Sequence, residues 1–511
     1  MIQLNTKIKM PFLWGKAVFE KTNWSQINLI VGANGSGKTL LSQAIAKEFS
    51  QADYKVFILE SDRDNVNYNQ ILLQNQYVRE KIESVLSNMF GKSIKFEQNE
   101  QNEFIPIVVN KAWNVEYDLT NAECHGLKEI ITLLTVLYSE NSDCIFFDEP
   151  ELHLHPQFQL FFMTEIRKQI AKNPKKIFFL ITHSPFFIDL KTPEELMGVI
   201  ACHINRVPTH IEKLNDQDEK LFRKFLPRFN TYHKQFFFSD NQIFVEGYTD
   251  QQMFNQLLPF LANTKGISST GIIDVGGKDE LGVFCKVCSL LGTDGRIITD
   301  LDALFSGKLK AVVCQDKRPQ EWINKQFQKQ KSFYRMIFSQ NELSSRITLK
   351  KLILKLEMLL TEIGFEILKT KYPVSPKIDL FVKKLRFLAD KYDNLETLDT
   401  FKTVVLQGIS NIETIDMILP LHLAKKIPLI KNLTFLILAA TEAARVYILP
   451  RGCIEHYYKA SKVQYMPISG KDKLFHTELQ RFSNLSTKKI QIEYLELISI
   501  LEKACTRLSL N

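Results

Sequence analysis

The stretch Gly32-Ala-Asn-Gly-Ser-Gly-Lys-Thr39 decides how the first half of this 511-residue chain folds. It fits the pattern G-x-x-x-x-G-K-[ST], follows an apolar run over 27–31 and precedes a helical pattern over 38–49. In this strand–loop–helix setting the glycines let the backbone wrap closely around phosphates, and the N–H groups at the helix start supply positive potential. The sequence therefore predicts a phosphate-binding loop (P-loop) for a nucleotide.

Individual roles follow from the chemistry of ATP. We expect Lys38 to reach the β- and γ-phosphates and Thr39 to place its hydroxyl on Mg²⁺. The other loop residues expected to surround the nucleotide are Gly32, Asn34, Gly35, Ser36 and Gly37. The alternative, a chance glycine-rich turn, does not account for the matching strand and helix on either side.

Two further strands end in polar residues that suit ATP hydrolysis. The apolar run over 144–147 ends at Asp148 and Glu149. We expect Asp148 to hold Mg²⁺ through water and Glu149 to orient or deprotonate the attacking water. A second buried strand over 176–181 leads to His183, at the place of a γ-phosphate sensor. The alternatives are a solvated acidic turn and a structural histidine.

The strand–helix alternation restarts near residue 240 and carries a second set of acids. Glu246 ends a strand over 242–245, Asp250 starts the next helix, and Asp300 and Asp302 follow a strand over 296–299. Strand residues i and i+2 project to one side, and the carboxyl ends of parallel strands share one sheet edge. We therefore expect these carboxylates to converge on Mg²⁺ or Mn²⁺, against the alternative of unrelated solvated acids.

The predicted organisation is an α/β domain over 1–235 and a second α/β domain over 236–511. The second domain is expected to contain a helical insertion at about 310–440, where Leu, Lys, Ile and Phe recur at helical spacing. The insertion carries a set of basic residues, for which a solvated helix face is favoured over a nucleic-acid surface. They are Lys350, Lys351, Lys355, Lys377, Lys383, Lys384 and Arg386.

Composition sets the broad class. A net charge of +8 makes a nucleic-acid partner somewhat more plausible without deciding it. The eight cysteines form no dense framework, which favours a reducing compartment, and Cys285 and Cys288 are interpreted as core packing. No secretory signal is visible, and the longest apolar runs are shorter than a membrane span. We therefore expect a cytoplasmic protein without membrane contact.

Three motifs in order resemble the ABC-type ATPase head of the OLD (overcoming lysogenization defect) family. They are the P-loop, Phe147-Asp-Glu-Pro-Glu-Leu-His-Leu-His-Pro156 and Ile181-Thr-His-Ser-Pro185. The resemblance implies that His153 and His155 lie in a loop near a dimer interface. The stretch Asn121–Gly126 departs from the Ser-x-Gly signature of such heads, since only the glycine matches, and efficient ATP hydrolysis is in doubt as a result.

The acids of the second domain resemble a Toprim domain, with Glu at the first strand and Asp-x-Asp at the third. By that resemblance Glu246 is an acid/base or metal-linked carboxylate, while Asp250, Asp300 and Asp302 complete metal binding. Glu455 resembles a late acid that serves a second metal, with an exposed glutamate at a helix start as the alternative. The family also uses a late lysine, for which Lys471 is favoured over Lys473.

The resemblance implies an ATPase and Toprim endonuclease: an ATP-regulated, metal-dependent nuclease in bacterial defence against phage. DNA is the favoured substrate and RNA the second choice. An ABC-type head implies at least a dimer, and a partner protein of the same defence system is expected. The alternative is an ATP-binding sensor or scaffold that controls a partner effector and has weak or RNA-directed Toprim activity.

Overall fold

The structure is a computed structural model of the whole chain. It describes residues 2–63, 66–99, 103–110, 115–118, 126–139, 142–231, 233–238, 241–261, 270–293, 295–329, 331–343, 346–369, 375–391, 395–460 and 465–505. The chain forms two compact units, one made of Met1–Asp240 with Leu290–Thr293 and the other of Asn241–Ser289 with Asp294–Asn511. Both units have α/β architecture.

The first unit is built on a six-stranded sheet. Its strands are β3 (Ile27–Gly32), β4 (Val56–Leu59), β8 (Cys144–Asp148), β9 (Ile177–Ile181), β10 (Val199–His203) and β11 (Arg206–His210). They lie in the order β11-β10-β3-β9-β8-β4. All neighbours pair in parallel except β10 and β11. Strands β8 and β9 are buried along their whole length, as expected for parallel strands covered on both faces.

Two smaller antiparallel sheets complete the strands of this unit. One pairs β1 (Ile2–Lys9) with β2 (Val18–Trp24), and the other joins β5 (Ser93–Gln98), β6 (Phe104–Asn110) and β7 (Val115–Asp118). The α-helices are Pro11–Trp14, Lys38–Gln51, Tyr68–Gln74, Gln76–Phe90, Gly126–Tyr138, Pro156–Lys172 and Asp216–Phe225. The core holds a parallel stack of Phe146 on Phe179, whose ring centroids lie 4.1 Å apart.

The second unit contains a four-stranded, fully parallel sheet. Its strands are β12 (Asn241–Val245), β13 (Thr270–Asp274), β14 (Gly295–Thr299) and β15 (Val446–Ile448). They lie in the order β13-β12-β14-β15. Because β12 lies between β13 and β14, the residues that follow these three strands emerge at the same edge of the sheet. This edge carries the second set of predicted acids.

Helices surround this sheet and fill the sequence between β14 and β15. Before β14 they are Tyr248–Leu257 and Lys278–Leu290, and after β15 they are Lys471–Ser483, Thr487–Glu493 and Leu495–Cys505. The helices between β14 and β15 are Gly307–Gln315, Lys317–Lys329, Lys331–Ile337, Gln340–Leu343, Leu349–Leu368, Pro376–Ala389, Leu395–Asn411, Leu421–Ala424 and Ile427–Ala443. Among the helices of the described residues, none combines the length and apolar character needed to cross a bilayer.

Candidate active sites

The P-loop lies between β3 and the helix Lys38–Gln51, where close backbone packing requires glycine. Gly32 has φ 147°, and a Cβ there would come within 2.3 Å of the carbonyl oxygen of Cys202. Gly37 has φ 82° and caps the helix start, where a Cβ would meet the Leu13 side chain at 2.6 Å. The loop therefore presents the N-terminus of the helix, the arrangement that favours phosphate binding.

Lys38 is folded back onto the loop. Its Nζ donates hydrogen bonds to the carbonyl oxygens of Gly32, at 3.2 Å, and Ala33, at 3.0 Å. Burial lowers the pKa of the Lys38 ammonium, while the nearby acids Glu149 and Asp148 raise it in part. The Ser36 hydroxyl is buried without a hydrogen-bond partner among the described residues, so this loop contains a polar group available to a ligand.

The acid pair lies at the end of β8, of which Asp148 is the last residue, next to the P-loop helix. Burial raises the pKa of the Asp148 carboxyl, Glu149 adds to this shift, and a hydrogen bond with the Thr39 hydroxyl opposes it. One carboxylate oxygen of Asp148, Oδ1, is buried without a partner among the described residues. The contact between Asp148 and Thr39 joins the two residues that were expected to serve Mg²⁺.

His183 faces Glu149 across the same strand ends. Its Nε2 lies 3.7 Å from Glu149 Oε1, and burial, assisted by the charge of Lys38, lowers the pKa of the imidazole. Glu151 holds the backbone around this histidine, because its carboxylate accepts hydrogen bonds from the His183 N–H at 2.5 Å and the Thr182 hydroxyl at 2.8 Å. The sequence patterns did not single out Glu151 for this role.

The loop after the acid pair is fixed by local geometry. His153 has φ 60°, and a Cβ on Gly126 would lie 2.7 Å from its carbonyl oxygen. His155 caps the helix Pro156–Lys172 and accepts a hydrogen bond from the Gln157 N–H. Apart from Gly126, the degenerate signature stretch lies outside the described residues.

In the second unit three carboxylates meet at the sheet edge. Glu246 follows β12, while Asp300 and Asp302 follow β14, and one ligand atom from each lies within 4.8 Å of the others. The alternation expected along a strand does not produce this contact. Asp300 caps a short 3₁₀ helix over Leu301–Leu304 that contains Asp302, so a helical turn brings the two aspartates together.

Glu246 is held by the neighbouring strand. Its Oε1 accepts hydrogen bonds from the Thr299 hydroxyl at 2.5 Å and the Asp300 backbone N–H at 3.0 Å. Burial raises the pKa of the Glu246 carboxyl and the charge of Asp302 raises it further, while the two hydrogen bonds lower it in part. Burial also raises the pKa of the Asp300 carboxyl, with Glu246 and Asp250 adding to the effect.

Lys471 links the other late residue, Glu455, to the cluster. Its Nζ lies 3.7 Å from Asp300 Oδ2 and 3.5 Å from Glu455 Oε1. Burial by itself lowers the pKa of this lysine, but the charges of Asp300 and Glu455 raise it above its ordinary value. Glu455 is fully buried, which differs from the exposed position given as its alternative. For Lys473 no contact with these acids is present among the described residues.

Asp250 lies beside the cluster at the start of the helix Tyr248–Leu257. Its Oδ2 accepts a hydrogen bond from the Gly247 N–H at 3.1 Å. Burial raises the pKa of the Asp250 carboxyl to about 8, and the charges of Glu246 and Glu455 contribute to the shift. A buried carboxyl with such a pKa becomes charged readily only when a cation binds next to it.

Lys278 is a contact of the cluster that the sequence analysis did not anticipate. It follows Gly276 and Gly277, which have φ values of 76° and 135° and form the turn after β13. Its Nζ lies 3.0 Å from Asp302 Oδ2 and 3.0 Å from the Ser306 hydroxyl. The glycine pair could have drawn attention to this lysine, since such turns bring a following side chain close to the sheet edge.

The donor set fits a divalent metal ion. Oδ1 of Asp302 and both carboxylate oxygens of Glu455 are buried without a hydrogen-bond partner among the described residues. Buried carboxylate oxygens that accept no hydrogen bond are costly, and a bound cation offsets that cost, as Lys471 does in part for Glu455. Hard oxygen ligands of this kind suit Mg²⁺ or Mn²⁺.

The basic residues of the helical insertion are exposed or half-buried, and Lys383 pairs with Asp379 at 2.8 Å.

Comparison with known proteins matches both units to named domains. Residues 237–302 match the model described as Overcoming lysogenization defect protein-like, TOPRIM domain. Residues 97–188 match the AAA ATPase domain. The first match contains Glu246, Asp250, Asp300 and Asp302, and the second contains the acid pair with His183. The two matches identify an ATPase domain and a Toprim domain, which use a nucleotide and a divalent metal.

Relatives with nuclease names align with parts of the chain. An OLD nuclease of Thermus scotoductus is 28% identical over 32% of this chain and 31% of its own length. An endonuclease GajA of Bacillus cereus is 26% identical over 56% of this chain and 47% of its own length. The chain thus spans less than half the length of each relative. The solved SMC head domain of Thermotoga maritima aligns over 42% of this chain and the whole of its own length, with 12% identity and a TM-score of 0.30.

Proposed function

We propose that this chain, which joins an ATPase domain to a Toprim domain, is an ATP-regulated, divalent-metal-dependent nuclease of the OLD type. Its substrate is a nucleic acid, with DNA favoured over RNA. Its role is defence against phage, as the resemblance to the OLD family implies. The observation that carries the proposal is the convergence of Glu246, Asp300 and Asp302 within 4.8 Å at one sheet edge.

The Toprim residues have different roles in phosphodiester hydrolysis. Glu246, Asp300 and Asp302 would hold Mg²⁺ or Mn²⁺, and Asp250 and Glu455 would provide oxygens for a second ion. A divalent metal supplies Lewis-acid stabilisation of the phosphate and activation of water. Lys471 lies beside Asp300 and Glu455, so its ammonium can stabilise negative charge that develops on the phosphate. Thr299 keeps the Glu246 carboxylate in place through its hydroxyl.

The ATPase residues take the roles that their geometry suits. Lys38 leaves the carbonyls of Gly32 and Ala33 to bind the phosphates of ATP, while Thr39 and Asp148 serve Mg²⁺. Glu149 acts as the base for water, and His183, 3.7 Å away, senses the γ-phosphate. ATP binding closes a dimer of the ATPase units, and this closure controls nuclease activity.

A plasmid-cleavage assay tests the proposal. Purified protein with Mg²⁺ or Mn²⁺ is expected to cleave DNA, and Asp300→Ala combined with Asp302→Ala is expected to abolish cleavage. The ATPase variant Glu149→Gln is the matched control, because it leaves the Toprim carboxylates intact and should change only the dependence of cleavage on ATP. Cleavage that the double Toprim variant retains in full would contradict the assignment of this site.

A further inference from the structure

The guanidinium of Arg63 connects three parts of the ATPase unit. Its Nη1 donates a hydrogen bond to the backbone carbonyl of Asp148 at 2.8 Å, and its Nη2 donates to that of Glu149 at 3.0 Å. Its Nε donates to Glu129 Oε1 at 2.5 Å. One side chain thus holds two consecutive carbonyls of the acid pair and a carboxylate from another element.

This arrangement depends on arginine. The side chains of Arg63 and Glu129 are only 12% and 10% exposed, so the ion pair is shielded from water. A planar guanidinium presents its donors in a fixed fork, whereas a lysine ammonium is a single point of charge that cannot bond all three acceptors in the same geometry. Removing either partner leaves the other charge buried, which is strongly unfavourable.

The backbone at both ends of this contact is in a sparsely populated conformation. Glu149 has φ 46° and Arg63 has φ 62°, in the left-handed region that non-glycine residues rarely adopt. Such conformations are unfavourable for non-glycine residues and persist when surrounding contacts enforce them. The Glu149 N–H donates to the Ile181 carbonyl at 2.8 Å, so bonds on both sides of the residue fix its backbone.

Glu129 connects the signature region to Arg63. It belongs to the first turn of the helix Gly126–Tyr138, whose first residue is the matching glycine of the degenerate signature stretch. A shift of this helix would therefore act on Arg63 and, through Arg63, on the carbonyl of Glu149. Among the described residues the hydrogen bonds of Arg63 go to Glu60, Glu129 and the acid pair, and none goes to the P-loop.

We propose that Arg63 is a positioning residue for ATP hydrolysis, which sets the orientation of Glu149 and links it to the helix Gly126–Tyr138. This inference rests on the proposed ATPase activity. Because Arg63 acts on the base and not on the P-loop, its loss lowers turnover and leaves nucleotide affinity intact. A displacement of about 1 Å in a reacting group can lower a rate on the order of 10²-fold.

The experiment compares Arg63→Ala, Arg63→Lys and Glu129→Gln with the wild type. The control is Arg167→Ala, since Arg167 also forms a forked pair, with Glu195 at 2.6 Å and 3.1 Å. It lines a cavity with Ile27, at the end of β3 opposite to the P-loop. Each variant is measured for ATP turnover, for the Kd of a fluorescent ATP analogue with Mg²⁺, and for melting temperature.

We expect Arg63→Ala and Arg63→Lys to lower kcat at least about tenfold with the Kd unchanged within about twofold. Glu129→Gln is expected to have a smaller effect that is not additive with Arg63→Ala, and Arg167→Ala should retain kcat. The inference would be overturned if Arg63→Ala had the same kcat as the wild type, or if its Kd rose in step with the fall of kcat. Either result would leave the proposed ATPase activity standing. A wild type without ATP turnover would overturn the proposed ATPase activity and this inference with it.

Discussion

The backbone N–H of Asp300 donates a hydrogen bond to the carboxylate of Glu246 at 3.0 Å, although 54 residues separate them in the chain. The contact joins the residues that follow the adjacent parallel strands β12 and β14. Its donor is a backbone group, so strand pairing fixes the position of the N–H to which the Glu246 carboxylate bonds. The carboxylate cluster is thus a consequence of the sheet.

Thr299→Val should weaken metal binding without removing a metal ligand. The hydroxyl of Thr299 donates to Glu246 at 2.5 Å, and valine has nearly the same shape without that donor. Loss of such an orienting bond typically lowers metal affinity about 10- to 100-fold. The measurement is a calorimetric titration with Mn²⁺. Thr299→Ser is the control and should keep most of the Mn²⁺ affinity. If both variants lost the same affinity, the effect would come from packing and not from the hydroxyl.

Lys471→Met is expected to lower nuclease turnover by about 10²-fold or more, because the ammonium next to Asp300 and Glu455 stabilises developing phosphate charge. Lys473→Met is the matched control two residues later on the same helix, and it should retain turnover. Single-turnover DNA cleavage at saturating Mg²⁺ provides the comparison. If Lys473→Met lost activity and Lys471→Met kept it, the roles assigned to the two lysines would be reversed.

Glu149→Gln should lower ATP turnover by about 10²- to 10⁴-fold, since glutamine cannot accept the proton of the attacking water. The backbone bonds of residue 149 to Ile181 and Arg63 are retained in this variant, so the loop should keep its shape. ATP hydrolysis and binding of an ATP analogue are measured side by side. Binding should be preserved; if it were lost together with turnover, Glu149 would act in nucleotide binding.

Most of the strands that position the two sites could be predicted from the sequence. The run over 27–32 is a strand as expected, and the strands before Asp148, Glu246 and Asp300 end within a residue or so of their predicted ends. These runs are apolar because the parallel sheets are covered on both faces. Local patterns of this kind are readable without tertiary information.

The contacts that orient the site residues could not be predicted in the same way. Arg63 lies 66 residues before Glu129, and the loop that carries it has no periodic pattern. The antiparallel strands β5, β6 and β7 were also not anticipated, because short strands outside a βα alternation give weak signals. The meeting of Asp300 with Asp302 was expected from strand alternation, whereas a 3₁₀ turn produces it.

Metal affinity should rise with pH up to about 8. The pKa of Asp250 is raised to about 8, mainly by burial, so this carboxyl holds a proton at lower pH and must release it when a cation binds. Each such proton changes the affinity by up to about tenfold per pH unit. Calorimetric titrations with Mn²⁺ in two buffers of different ionisation enthalpy measure the number of protons released on binding. An affinity for Mn²⁺ that stays constant between pH 6 and pH 8 would contradict this prediction.

The same shift affects the stability of the metal-free protein. Between about pH 4, where Asp250 titrates in the unfolded chain, and about 8, the folded state binds more protons than the unfolded state. The free energy of unfolding should therefore decrease as the pH rises through this window. Asp250→Asn should reduce that slope, which denaturant titrations of the chelator-treated protein can measure.

Joint metal binding by these carboxylates is tested most directly by the binding of Mn²⁺ to the nucleotide-free protein, followed by electron paramagnetic resonance. We expect at least one tightly bound ion per chain in the wild type and loss of that ion in Asp300→Asn, which keeps the shape of the side chain and removes its charge. Retention of the wild-type number of ions and affinity by Asp300→Asn would contradict the claim that these carboxylates bind metal jointly.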